Sequence, residues 1–569
     1  MSGLKWGPGL VLSLVCLHAA ADDRLVVSGA VGKPGGRLVA VQRSEPKTLN
    51  WVIANDAGSR EVLVRLMADL IHINRETLEI EPALAKSWKV SPDRLHWTLN
   101  LRNGVRFSDG HSFDSDDVVF TFHAILDETV HSPQRDLLMV GDKPVVVRKI
   151  DAHTVAFDFP GQYSVPERLF DGVWILPRHK LEAAWKEGKL GTVWGMQTPS
   201  AQIAGLGPFR LRQYVPGQRV TLERNPYYWK RDQAGTQLPY FSEVTFLFVD
   251  SADAQVMRFQ AGEADMINRV GGRNFAVLER DQQRRNYEMH SSGPGLEYAF
   301  MVFNLAGGRA PFLQRKSLRQ AVSAAVDRDS MVRIIYGGRA VPLAVPVPAG
   351  NKRWLNTSIP APVRSIEKAR KILSDDGFKW SREGGLLDPT GKPVEFSIIA
   401  SNNNPERLQM AGMIQDDLKQ IGIKVNVVPM ESRSMFDLVQ NTRAFDAALA
   451  GLVELDVDPN PDMAVWLSSG GNHLWNVNQT SPATPWEAEI DKLMRQQIVT
   501  GNFAARKLLF DRVQEILLDQ QPMVALLTPY VLTGARKDLG NFRPAILEPN
   551  TLWNIEQLYW RNPQSGAPK

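Results

Sequence analysis

Residues 95–107 (LHWTLNLRNGVRF) alternate apolar and polar, with Leu95, Trp97, Leu99 and Leu101 sharing a parity. A period of two places these four on one face of a half-buried strand, and Asn103-Gly104 then supplies a turn. Residues 37–42 (RLVAVQ) read as an earlier strand, stopped by Ser44-Glu45-Pro46. Residues 59–71 change period: Val62, Leu63, Leu66, Met67 and Leu70 fall on one helical face. Asp114-Ser115-Asp116-Asp117 stands just before Val118-Val119-Phe120. Short acidic and hydroxyl side chains there accept the unpaired N–H groups of a helix start and match its dipole, so the cluster reads as a cap and not a metal site. Further strands are expected at 145–150, 154–159, 209–213, 219–223, 244–249 and 424–428. Helices are expected at 318–336, 407–421, 490–499 and 503–518, the first ending at Gly337-Gly338. Strands and helices alternate without a 20–50 residue repeat, which gives an α/β or α+β class with mixed sheets.

Composition narrows the function classes. The chain has 569 residues, and domains of about 100–200 residues imply two or three of them. With 43% apolar and 22% charged residues it is neither disordered, collagenous nor a coiled coil. Lys plus Arg is 66 against 62 Asp plus Glu, a formal charge of +4, which argues against a nucleic-acid partner. The single cysteine, Cys16, excludes an internal disulfide and multi-cysteine zinc sites. It sits in an apolar run, residues 10–17 (LVLSLVCL), after Lys5 and before Ala19-Ala20-Ala21. That order describes a signal peptide of residues 1–21, cleaved after Ala21. A bilayer span needs about 20 apolar residues, so the run does not cross a membrane. Val15 occupies the place where a lipidated Cys16 wants a small residue, so the exported protein is expected free in the periplasm. Residues 22–36, rich in glycine, read as a flexible tether.

Chemical motifs are few. The sequence has no G-x-x-x-x-G-K-[ST] loop, no H-E-x-x-H and no G-x-S-x-G elbow. No two histidines stand at i, i+4. Neither an enzyme, a metal centre nor a cofactor is expected. Asp456-Val-Asp458-Pro-Asn460-Pro-Asp462 begins like a calcium loop, but Pro461 and Leu467 occupy the positions that need Gly and Glu. What remains is a proline-stiffened acidic loop, able to present carboxylates to a cationic ligand group.

Residues 83–122 (ALAKSWKVSPDRLHWTLNLRNGVRFSDGHSFDSDDVVFTF) resemble the family 5 extracellular solute-binding proteins, the dipeptide and oligopeptide receptors of ABC importers. The carrying features are Ser87-Trp88, Leu101 to Phe107, Asp109-Gly110 and Asp116 to Phe120. Pro46 to Asn50, Gly207-Pro208-Phe209, Leu222 to Trp229 and Leu318 to Asp327 follow in the family's order. The resemblance implies an α/β, two-lobed periplasmic binding protein with mixed sheets, a large first lobe and a two-strand hinge. Lobe I would be 37–294 with 529–569 returning to it, and lobe II 295–528, with crossovers near 291–298 and 527–534. It further implies a monomeric receptor that closes on a short peptide and docks on an inner-membrane permease driven by a separate ATPase. A non-peptide solute (an oligosaccharide, an opine or a metal chelate) is the alternative. Relatives hold the ligand's α-amino group with a lobe II aspartate. An ungapped match puts Leu455 there, leaving Glu454, Asp456 and Asp458 as the carboxylates at hand. Trp475 and Tyr298 are the candidate aromatic walls, with Trp466 assigned to the core. Asn50, Trp51 and Asn55 are the candidate lobe I contacts.

Overall fold

The computed structural model describes residues 23–140, 143–164, 166–307, 310–454 and 456–562. The expected signal peptide and Cys16 lie outside the described residues. Among the described residues no helix is long and apolar enough to cross a membrane.

One twelve-stranded mixed sheet runs through the molecule. Its strands in chain order are β1 (Arg37–Gln42), β2 (Phe209–Val215), β3 (Arg219–Arg224), β4 (Glu243–Phe248), β5 (Met266–Ile267) and β6 (Tyr287–Pro294). Then come β7 (Glu297–Phe303), β8 (Ala340–Pro342), β9 (Glu395–Ser401), β10 (Lys424–Met430), β11 (Ala447–Val453) and β12 (Met523–Arg536). The spatial order is β2-β3-β4-β1-β5-β12-β7-β11-β9-β10, with β6 and β8 also paired to β12. β12, at 14 residues, is the common member. Its first half pairs with β7 and β8, and its second half with β5 and β6.

Burial divides the chain about this strand. One core gathers Leu38 to Met266 together with Ala535 to Trp560. Two others gather residues from Tyr298 to Leu527 on the two faces of β7. We refer to these bodies as lobe I and lobe II. The chain passes between them from Pro294, paired with Tyr530, to Ala299, paired with Leu527. Gly293 there has φ +83°, a conformation only glycine adopts without strain. Gly350 packs beneath the same crossover: a Cβ on it would stand 2.3 Å from the Gly295 carbonyl oxygen.

The four-stranded antiparallel sheet of lobe I has the order Ala85–Val90, His96–Leu101, Thr154–Asp158, Val146–Asp151. Trp97, Leu99 and Leu101 are buried, as their alternation requires. The acidic run before α1 (Ser115–Leu126) is a capping box: Asp114 accepts from the Asp116 N–H at 2.8 Å, and Asp117 accepts from the Asp114 N–H at 3.1 Å.

Two expectations change. The helix expected over 318–336 is two helices, Lys316–Ala325 and Arg328–Tyr336. Asp327 starts the second by accepting from the Ser330 N–H at 2.9 Å, the competition with helical backbone that short acidic side chains offer. Residues 23–36, read as a tether, lie along lobe I. Leu25–Val26 pairs with Lys230–Arg231, and the Asp23 carboxylate takes Lys86 at 2.7 Å and the Asn103 N–H at 3.1 Å.

Candidate functional site

β11 delivers the acidic loop to the line where the lobes meet. Beyond its last residue the Glu454 N–H donates to the Leu296 carbonyl in the crossover, at 3.0 Å. Val457 then packs with Ile73 and Leu547 of lobe I and with Leu296. Asp456 forms an ion pair with Arg168 of lobe I, carried on α2 (Pro166–Gly172). Both side chains are nearly enclosed, at 11% and 8% exposure. Asn460 adds a second tie, its amide donating to the Ser164 hydroxyl at 3.0 Å. The Ser164 N–H donates to the Ile498 carbonyl at 2.8 Å.

Asp458 turns the other way, into lobe II. Arg506 of α3 (Phe503–Gln520) grips it bidentately at 2.8 and 2.9 Å, and its guanidinium lies over the Trp354 ring. Such a fork-to-carboxylate pair is strong and directional. Glu454 accepts from the Asn351 amide at 2.8 Å. Asp462, half-buried, has no hydrogen bond or ion pair to its side chain among the described residues.

The electrostatics follow from four carboxyls facing two arginines. Burial raises Glu454 well above the usual carboxylate range, and the Asp462 charge adds to this. Burial raises Asp456; Arg168 pulls it back, while Asp458 and Asp171 push it up. Asp462 is pushed to about 7 by burial and by the charges of Asp456 and Asp458. Tyr298, on β7, is 2% exposed. Its hydroxyl is raised by burial and by the nearby Asp462 and Glu454.

The remaining expected contacts are structural. Trp475, expected in a ligand wall, is fully buried: its indole N–H donates to Glu487 at 3.1 Å and its ring lies on His473. An indole with an apolar body and one bonded N–H is a well-satisfied core residue. Trp466 is buried in the same core. Asn50 and Trp51 are also fully buried. Asn50 donates to the Leu190 carbonyl at 2.6 Å, and Trp51 to the Trp174 carbonyl at 2.8 Å, so both hold a lobe I loop instead of facing a solute. Asn55 is exposed.

Lobe I contributes a cavity of about 80 Å³ beside this junction. Arg65, His72, Arg75, Lys230, Trp174 and Trp553 are among its lining residues. Asp69, His72 and Asp171 bring three potential metal-binding atoms within 4.8 Å of one another. Asp171, however, already takes both Arg75 nitrogens, at 2.9 and 3.1 Å, and the Ile73 N–H. The group is thus a charge-paired wall.

The sequence pattern of the bacterial extracellular solute-binding proteins, family 5 Middle, matches residues 79–473. The chain belongs to this family. It is a solute-binding receptor. The receptor is 27% identical over 516 residues to a probable ABC transporter-binding protein of Deinococcus radiodurans, with 86% of each chain covered. Its fold is similar to that of the oligopeptide-binding protein AppA from Bacillus subtilis in complex with a nonapeptide (TM-score 0.74, 23% identity, 94% of this chain and 100% of that one). It is similar also to NikA from Brucella suis in complex with Fe(III)-EDTA (TM-score 0.78, 21% identity, 92% and 99% covered).

Three residues of the receptor's junction escaped sequence reasoning. Arg168 and Arg506 stand 288 and 48 positions from their carboxylates and carry no local cue. Asn351 is 103 positions from Glu454. Asp462 was visible as the end of the acidic run, but nothing in the run distinguishes it from its neighbours.

Proposed function

We propose that this receptor is exported by residues 1–21, stays in the periplasm as a monomer and serves an ABC importer. It captures a peptide-class solute between its lobes and delivers it to a membrane permease, while a separate ATPase drives transport. The observation that carries this reading is the acidic loop, residues 454–462, seated against lobe I at the crossover through Arg168 and Ser164. A solute entering there meets both lobes and biases their closure. The nonapeptide complex of the similar AppA fold supports a peptide-class ligand. The protein acts by binding and release, without turnover.

The lobe I cavity favours a second reading. Trp174 and Trp553 give it flat apolar walls beside a network of paired charges (Arg75 with Asp171, Lys230 with Glu556), which suits a non-peptide solute such as a metal chelate, in keeping with the Fe(III)-EDTA complex of the similar NikA fold. Native mass spectrometry of the purified receptor separates the two. A peptide retained on purification is the expected result, and a retained chelate or sugar selects the second reading. Chemical conversion of the retained solute on incubation overturns the receptor mechanism altogether.

A further inference from the structure

Strands β1, β3 and β4 present two faces. Leu38 and Ala40 of β1, Val220 and Leu222 of β3, and Val244 and Phe246 of β4 enter the lobe I core. The alternate positions face the other way, and that outer face carries a cavity of about 370 Å³. This lies within the range of about 300–1,000 Å³ usual for small-ligand sites. Strand register explains its shape. Gln213 of β2, Thr221 of β3, Thr245 of β4 and Val39 of β1 form one row across the sheet. In the next row on one side Arg219 stands opposite Leu247, and in the next row on the other Arg37 stands beside Glu243. Arg219 and Arg37 are thus two strands and four residues apart, about 16 Å between Cα atoms. The short threonines between two long arginines leave a trough whose floor is the sheet.

The charges around the trough do not cancel. Its acidic residues are already engaged: Glu243 pairs with Arg212 and accepts from the Thr245 hydroxyl, and Glu263 takes Arg258 of the helix Ala252–Ala261 at 2.7 Å. Arg37 and Arg219, both half-buried, carry no hydrogen bond or ion pair on their side chains among the described residues. A guanidinium stays charged, offers five N–H donors in a planar fork and accepts nothing, so what it lacks is an anion. Thr221, 7% exposed and part of the lining, has no hydrogen bond to its hydroxyl among the described residues, and the Gln213 amide has none either. We propose that this trough is a second binding site of the receptor, for a small polyanion: Arg37 and Arg219 each hold one carboxylate or phosphate group, and the Thr221 hydroxyl and Gln213 amide donate between them. The site shares no lining residue with the cavity beside the junction, so it fills independently of the transported solute.

The test is calorimetry of the purified full chain at pH 7 and one constant ionic strength, with citrate, pyrophosphate and acetate as probes. We expect wild type to bind citrate or pyrophosphate at a single site, at least about tenfold more tightly than acetate, because only a polyanion engages both arginines. Binding of citrate alone assigns carboxylates to the site, and binding of pyrophosphate alone assigns phosphates. The double variant Arg37→Gln with Arg219→Gln has no native ion pair to lose, so it melts with wild type and binds the polyanion at least about tenfold more weakly. Arg37→Lys with Arg219→Lys keeps the charge but not the fork, and its affinity falls between the two. Solute retained on purification, read by native mass spectrometry, is the same in all three proteins. Binding of neither polyanion, acetate binding as tight as theirs, or undiminished binding by the glutamine double variant each overturns the site and leaves the receptor reading intact. Loss of retained solute in both double variants overturns its independence from the junction.

Discussion

Replacing Arg168 with Met removes the cation that ties lobe I to the acidic loop while keeping the length of the side chain. Arg168 and Asp456 are 8% and 11% exposed, so little solvent screening softens the loss. Breaking one side of a buried ion pair costs about 3–5 kcal/mol, most of it the penalty on the charge left behind. At about 1.4 kcal/mol per factor of ten, contact between the lobes weakens by roughly a hundredfold to several thousandfold. The cost falls on the junction and not on either lobe's fold, because separating the lobes returns Asp456 to water. Asp456 already titrates above its ordinary value, chiefly through burial. A raised carboxyl opposes contact when ionised and ceases to oppose it when protonated, so the defect in Arg168→Met is full at pH 8 and fades as pH falls toward the ordinary aspartate value near 3.8. The assay is pulsed electron resonance between spin labels at Val146→Cys in lobe I and Leu508→Cys in lobe II, both exposed positions. Wild type gives a short distance at both pH values. Arg168→Met gives a long one at pH 8, and Arg168→Met with Asp456→Asn shortens it again. A distance distribution for Arg168→Met at pH 8 that matches wild type refutes the assignment of this pair as the interlobe tie.

Gly350→Ala puts a methyl 2.3 Å from the Gly295 carbonyl oxygen and 2.5 Å from that of Pro294. Backbone cannot yield as a side-chain tip does, so thermal unfolding should show a loss of about 1–3 kcal/mol, and the same spin-label pair an altered lobe distance; an unchanged distance and melting temperature contradict the packing of Gly350 under the hinge. Burial raises the Glu487 carboxyl, but hydrogen bonds from His473, Gln479 and Thr484 hold it at about 2. A depressed carboxyl stabilises fully above its ordinary value near 4.5 and loses that contribution as pH falls toward 2. Glu487→Ala orphans the buried Trp475 indole N–H and should cost about 1–3 kcal/mol at pH 7; the gap from wild type narrows in acid melts below pH 4 as the wild-type carboxyl loses its charge, while the orphaned N–H leaves a residual cost.

Much of the architecture was legible because it rests on short-range periodicity. Trp97, Leu99 and Leu101 must share a face in any strand, and Asp114 with Asp117 suits a helix start wherever that helix lies. The helix expected over 318–336 breaks at one point: Asp327 looks like a polar residue on an amphipathic helix until its own side chain claims the Ser330 N–H. The candidate site was legible only as a neighbourhood. Glu454, Asp456 and Asp458 do lie where the lobes meet, yet Trp475, Asn50 and Trp51 proved to be packing residues. An aromatic in a polar loop looks the same in sequence whether its indole faces a solute or, as here, a buried Glu487.

The sequence by itself determined the alternation of strands and helices, and a run of carboxyls stiffened by proline. These follow from local composition and period, which a chain carries before it folds. Only the tertiary structure decided what each carboxyl does. β12 joins both lobes in one sheet and thereby brings Arg168 to Asp456 across 288 positions, while α3 brings Arg506 to Asp458. A carboxylate's function depends on whether a cation has already claimed it, and that is a matter of a few ångströms in space with no counterpart in the order of residues. Among the described residues Asp462 ends up the aspartate of the loop whose side chain has no hydrogen bond or ion pair, a fact no reading of the run DVDPNPD contains.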